Sequence, residues 1–253
     1  MDIKNAPMAI IDIANPTRFL NIVNRLLPWL AAGTVVVFAF GLARILNAPD
    51  DYQQGATVKI MYLHVPAAWL AMMCWGVMSL AALGTLVWKH PLADVSGKAA
   101  APLGAAFTFI CLVTGSLWGR PTWGTYWVWD ARLTSMLVLF LLYLGVLALY
   151  WTVEDPGRGS RAAAILTLVG ALNIPIIKFS VEYWNTLHQP ASLFRKGGSA
   201  IDPSILAPLL LMAGGFTLLF LTLHLAAMRN EILRRRVRAM RLIQAQELAE
   251  VST

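Results

Sequence analysis

The sequence predicts an all-α, polytopic integral membrane protein: six transmembrane helices with an outer tryptophan-rich loop. Three observations predict it. Hydrophobic residues make up 58% of the 253 positions and charged residues 13%, against roughly 45–50% and about 25% in soluble domains. Apolar runs lie near 27–46, 65–88, 102–118, 133–152, 162–179 and 204–228, and a run of about 17–25 residues suffices to cross the hydrocarbon layer. Lysine and arginine gather in the segments between those runs, where they set topology. The net charge of +7 therefore gives no reason to invoke nucleic acid.

In chain order, residues 1–26 form an N-terminal segment. Its opening, M-D-I-K-N-A-P, lacks the basic, apolar and small-residue succession of a cleaved signal. Within 17–27, Phe19, Leu20, Val23 and Leu27 fall largely on one helical face, which predicts a short interfacial helix. The membrane domain spans 27–228. Asn47-Ala48-Pro49-Asp50, His90-Pro91, Asp155-Pro156-Gly157 and Gly197-Gly198 punctuate its connections. The third span, 102–118, is the shortest. Gly119, Pro121 and Gly124 argue against its helix simply continuing into the loop at 118–134. A second outer loop covers 180–203, and a basic tail covers 229–253. The tail has the pattern of a helix lying on an anionic lipid surface or docking a cytoplasmic partner.

Orientation follows from the basic residues. Placing the N-terminus in the cytoplasm puts Lys4, Arg18, Arg25, Lys89, Lys98, Arg158, Arg161 and the tail residues Arg229, Arg234, Arg235, Arg236, Arg238 and Arg241 on that side. Arg44, Lys59, Arg120, Arg132, Lys178, Arg195 and Lys196 fall on the other. Cytoplasmic excess predicts that both termini lie inside.

Topology then sorts the four histidines. His64 and His188 fall on the outer side, His90 and His224 on the inner side. The loop after span three reads W-G-R-P-T-W-G-T-Y-W-V-W-D-A-R-L-T. Trp118, Trp123, Trp127 and Trp129 lie close together in it, with Tyr126. Interfacial belts explain one or two tryptophans; four in one loop suggest a flat apolar platform for a planar ring system. Heme is one such ligand, because its iron takes axial imidazole and its propionates seek cations. Arg120, Arg132, Lys59 and Lys178 are outer-side candidates for those propionates, the arginines favoured by bidentate pairing. Asp130 suits a helix cap or a partner for Arg132. On the residues alone, a quinone or other flat amphiphile, and a purely structural loop, remain open alternatives.

Other chemistries lack their signatures. Cys74 and Cys111 sit inside apolar runs as packing residues, without C-x-x-C or C-x-x-C-H. No G-x-x-x-x-G-K-[ST] phosphate loop occurs, so any ATP would be bound by a partner. The expectation is a binding and transfer component, not an enzyme.

The loop resembles the tryptophan-rich WWD signature of heme-handling membrane proteins, and its continuation D-A-R-L-T-S is similar to the heme exporter protein C family of cytochrome c maturation. D-Y-Q-Q-G at 51–55, Y-L-H-V-P-A-A at 62–68 and S-V-E-Y-W-N-T-L-H-Q at 180–189 match as well. Tyr126 and Tyr183 stand where some members have tryptophan, and tyrosine keeps an aromatic face. The resemblance implies six spans, cytoplasmic termini and a periplasmic heme site in the bacterial inner membrane. It implies His64 and His188 as axial ligands of heme iron, heme b being bound cargo. Trp118, Arg120, Trp123, Trp127, Trp129, Asp130 and Arg132 would form the heme-handling platform. The implied partners are the membrane-anchored heme chaperone cytochrome c maturation protein E, ABC transporter components A and B, the small membrane component D, and lipids.

A cytochrome-b-like electron carrier is the main rival, but it usually buries histidine pairs on facing spans, and no histidine here sits mid-span. A quinone-binding protein is a second. A secondary transporter would ordinarily show a mid-span acid, and Glu182 and Lys178 fall at the outer end of span five. Protonation competes for the imidazole lone pair, so heme retention should fall below about pH 6, near the ordinary histidine value, and retention that stayed flat to about pH 5 would count against solvent-accessible ligation.

Overall fold

A computed structural model describes residues 15–189, 192–193 and 198–251. Lys4, Arg195 and Lys196 of the charge count, and the first 14 positions of the N-terminal segment, lie outside the described residues. Among the described residues there are seven α-helices: α1 (Pro16–Leu46), α2 (Met61–Leu86), α3 (Pro91–Trp123), α4 (Ala131–Thr152), α5 (Pro156–Gly170), α6 (Asn173–Tyr183) and α7 (Pro203–Val251). A 3-10 helix, Ala56–Ile60, leads into α2. With α5 and α6 counted as one broken crossing, six helices are long and apolar enough to span a membrane. The protein is an all-α, multi-pass membrane protein.

Local chemistry sets the helix ends. Pro16, Pro91 and Pro156 occupy first-turn positions, where a missing N–H costs nothing. Asn15, Asp130 and Asp155 cap α1, α4 and α5 by accepting from Thr17 N at 2.9 Å, Leu133 N at 2.8 Å and Arg158 N at 2.8 Å. Residues 17–27 are the first turns of α1 itself, continuous with the span.

The third crossing differs from expectation. It is not the shortest but runs 33 residues, about 50 Å at 1.5 Å per residue, and continues through Pro121 to Trp123. Its early turns carry Asp94 and Lys98, which hide it from a search for apolar runs; α7 neutralises them. Arg235 Nη2 lies 2.6 Å from Asp94 Oδ2, while Lys98 Nζ and Arg235 Nε each donate to Glu231 Oε1 at 2.9 Å. Gly124, at φ +77°, then ends the helix with its N–H on Arg120 O. Pro121 lacks the N–H that would reach Leu117 O, yet the helix carries on for two more residues.

The core lies where α2 meets α3, α4 and the broken fifth crossing. Trp75 and Tyr143 meet edge to face at 4.7 Å. Trp75 Nε1 donates to Thr167 O at 3.1 Å, and Tyr143 Oη donates to Ala71 O at 2.7 Å. Both rings lie against glycines: a Cβ at Gly104 would fall 2.2 Å from Tyr143, and one at Gly170 2.5 Å from Trp75. Small residues let helices approach closely where lipid supplies no hydrophobic drive between them. α1 packs chiefly on α7 and turns Trp29, Val35 and Phe40 outward. The basic tail is not a separate element, since α7 continues unbroken for 49 residues.

Six alternating crossings put segments 47–60, 124–130 and 184–189, with residues 192–193 and 198–202, at one end of the bundle. The connections 87–90 and 153–155, with the tail, occupy the other.

Candidate functional site

At the tryptophan-loop end, α2, α3, α4, α6 and the loop after α6 enclose a cavity of about 1000 Å³, counting space open at its mouth. α2 contributes His64, Ala68 and Met72, one helical turn apart, so one face of the helix forms a wall descending from the histidine. Leu112, Leu133, Met136 and Ile177 give the deeper walls an apolar surface, while Arg132, Lys178, Glu182 and Gln189 supply polar groups. His188 lines the same cavity, as do Trp123 and Trp127.

His64 enters from the end of the first turn of α2. Its Nδ1 lies 3.1 Å from Cys111 O and 3.1 Å from Thr114 Oγ1. Trp118 packs edge-on against the ring at 5.7 Å. His188 arrives on the loop beyond α6, with Trp123 edge-on at 4.8 Å. The backbone N–H of His188 donates to Thr186 Oγ1 at 3.2 Å, and the Thr186 hydroxyl donates to Asp130 Oδ2. Asp130 therefore caps α4 and braces the histidine loop together.

His188 Nδ1 is buried without a hydrogen-bond partner, and Asp130 Oδ2 sits 3.8 Å away, near enough for charge attraction but beyond hydrogen-bond reach. Burial lowers the His188 value to about 4; Arg132 adds to the shift and Asp130 opposes it. The imidazole is thus held neutral, with a lone pair available, well below pH 6. The expectation of loss near pH 6 rests on the ordinary histidine value, and burial of this ring moves the expected loss to lower pH.

The other residues named from sequence divide into two groups. Arg132 faces the cavity, anchored by Nε to Ser180 Oγ at 3.1 Å and by Nη2 to Ile177 O at 3.2 Å. Trp127 also faces it, and its buried Nε1–H has no partner. Trp118 stands behind His64 and donates from Nε1 to Gln54 Oε1 at 2.7 Å, tying the D-Y-Q-Q-G turn to α3. Trp129 is 76% exposed and packs edge-on against Trp127 at 5.4 Å, outside the cavity. Arg120 turns away to Gly124 O and the Tyr126 ring, and Lys59 pairs with Asp50 at 3.4 Å. The sequence predicts a shelf of four indoles, whereas two indoles line a walled cavity and the other two support it.

Several lining residues escaped the sequence reading. Ala68 and Met72 could have been found at i+4 and i+8 from His64. Cys111 and Gly115 of the lining, and Thr114 beside them, carry no such signal, because only the α2–α3 crossing sets them against the histidine. His90 and His224 stay away: His90 precedes α3, and His224 stacks on Phe220 at 5.2 Å at the opposite end.

Chemically, the cavity offers two imidazoles, aromatic and aliphatic walls, an unpartnered indole N–H and a guanidinium. Among the described residues, no group of three or more His, Cys, Asp or Glu converges to hold a bare ion. Two imidazoles suit a metal that brings its remaining ligands with it.

The chain matches the family described as Heme exporter protein C over residues 9–243. It is similar to Heme exporter protein C of Bradyrhizobium diazoefficiens, with 70% identity over 242 residues covering 96% of this chain and 92% of the relative. It is 50% identical over 223 residues to that of Escherichia coli strain K12, covering 88% and 90%. To that of Paracoccus denitrificans it is 44% identical over 234 residues, covering 92% and 97%. With the family match spanning nearly the whole length, the chain belongs to the heme exporter protein C family.

Proposed function

We propose that the protein binds heme in the cavity at its tryptophan-loop end, with His64 and His188 as axial ligands of the iron, and presents it for cytochrome c maturation. One observation supports this above the rest: two histidines remote in sequence line a single cavity together with Trp123, Trp127 and Arg132. A planar porphyrin needs only two further ligands for its iron, apolar walls for its faces and cations or N–H donors for its propionates. Arg132, Lys178 and the Trp127 indole N–H are the groups available for the last role. Trp118, Trp129, Asp130 and Arg120 act around the cavity, through the rings and loops they hold.

Heme is cargo in this reading, and the chain performs no chemical step on it. The receiver is the membrane-anchored heme chaperone cytochrome c maturation protein E. ABC transporter components A and B and the small membrane component D complete the complex, and ATP is bound and hydrolysed by the transporter. The membrane is the bacterial inner membrane, with both termini cytoplasmic and the heme site periplasmic, as the arginines of the α7 tail favour.

The test is the absorption spectrum of the full-length protein purified after co-expression with the chaperone. Wild type should carry a bis-histidine heme spectrum. His64→Ala and His188→Ala should each alter it and reduce transfer, while His90→Ala and His224→Ala leave it unchanged. Wild-type protein devoid of heme under every condition would refute the proposal.

A further inference from the structure

His64 and His188 are held in different ways, and the difference points to a residue outside the tryptophan loop. The Cys111 carbonyl, 3.1 Å from His64 Nδ1, can only accept a hydrogen bond, so Nδ1 must carry the proton. Thr114 Oγ1 lies at the same distance, and its own proton is committed to Ile110 O at 2.6 Å. Toward His64 it therefore offers a lone pair. Two acceptors at one nitrogen select one tautomer, leaving the Nε2 lone pair free.

Space is arranged to the same end. Cys111, Thr114 and Gly115 stand at i, i+3 and i+4, on one face of α3 turned to α2. A Cβ on Gly115 would fall 2.9 Å from His64 Cε1, so glycine leaves the ring its place. Thr114 is buried, which shields the bond from water. His188 has no comparable seat, since its Nδ1 lacks any hydrogen bond.

We propose that Thr114 is a positioning residue for iron ligation: with the Cys111 carbonyl, and in the space left by Gly115, it fixes the His64 imidazole so that Nε2 faces the bound iron. The inference rests on His64 being an axial ligand. Hydrogen bonds to the second nitrogen of a ligating histidine set its orientation and raise its basicity.

Thr114→Val in the full-length protein keeps the shape and removes the acceptor. Titrated with hemin, it should bind roughly tenfold more weakly, the low end of the ~10–100-fold usual for such support. The low-spin ferric EPR signal should shift. The midpoint potential should rise, because a less basic imidazole stabilises ferric iron less. Thr114→Ser should restore all three. In a His64→Ala background, Thr114→Val should have no further effect. Should Thr114→Val fail to fold, Gly115→Ala reads the same seat and should displace the same EPR signal. Wild-type affinity, EPR signal and potential in Thr114→Val, while His64→Ala loses its ligand, would overturn the positioning role. An equal loss with and without His64 would overturn it too, as a purely structural effect. A wild-type spectrum in His64→Ala would instead defeat the ligand assignment beneath it.

Discussion

A histidine serves as an iron ligand only while its ring nitrogen is unprotonated, so the surroundings of each imidazole decide over what range the site works. Burial holds His188 at about 4, against about 6.5 in an unfolded chain. Between those values the unfolded state takes up a proton that the folded state refuses, so stability falls as pH drops through that window. The folded ring itself stays neutral until about pH 4. Heme retention should accordingly hold from pH 7 to about pH 5 and fall as pH approaches 4, followed by absorbance after acid steps and desalting. Half-loss near pH 6 would mean that His188 is open to water in the working protein. Asp130 separates two roles in a single side chain. Asp130→Ala should lower the melting temperature by removing a helix cap worth ~0.5–2 kcal/mol. Asp130→Asn retains a cap acceptor and should melt near wild type, while still altering the heme spectrum through the charge lost beside His188. Identical melting of both variants would show that the cap contributes nothing.

Among the elements, the broken fifth crossing and α3 do most to place the site. The chain leaves α5 at Gly170 and resumes at Asn173; near the break Trp75 Nε1 donates to Thr167 O, and the Asn173 side chain ties the start of α6 to α4 by donating from Nδ2 to Ser135 O at 2.8 Å. Irregular backbone at membrane depth is tolerated where such partners exist. Beyond the break, α6 brings Ile177, Lys178, Val181 and Glu182 to the cavity. Upstream, α3 passes beneath Tyr143 with only Gly104 between them. Gly104→Ala should force the ring aside and destabilise by about 1–3 kcal/mol, the usual range for overpacking, read as a lower melting temperature in detergent. An unchanged melting temperature would show that the α3–α4 contact is looser than its geometry implies.

For the whole molecule, orientation is the property most open to test. Tyr52 and Leu187 are exposed at the tryptophan-loop end, and Gly157 is exposed at the other. The two native cysteines are buried. Cysteines introduced at Tyr52 and Leu187 should react with a membrane-impermeant maleimide in intact cells whose outer membrane is permeabilised. One at Gly157 should react only after the inner membrane is opened. The reverse pattern would place the histidine-lined cavity in the cytoplasm.

Composition, apolar runs and the spacing of tryptophans were enough to read six crossings, their order, and which two of four histidines share an end. Each of these depends on local composition and on the alternation of sides, which a chain carries along its length. The true extent of α3 was hidden because Asp94 and Lys98 are neutralised by Glu231 and Arg235, far away in sequence. The tryptophan loop was legible as a cluster, but only packing decided that Trp123 and Trp127 face the cavity while Trp118 and Trp129 stand behind and beside it. The seat of His64 lay beyond sequence reasoning altogether. A threonine, a glycine and a backbone carbonyl in an apolar helix acquire a role only when another helix sets an imidazole against them, and that contact is made by the tertiary structure alone.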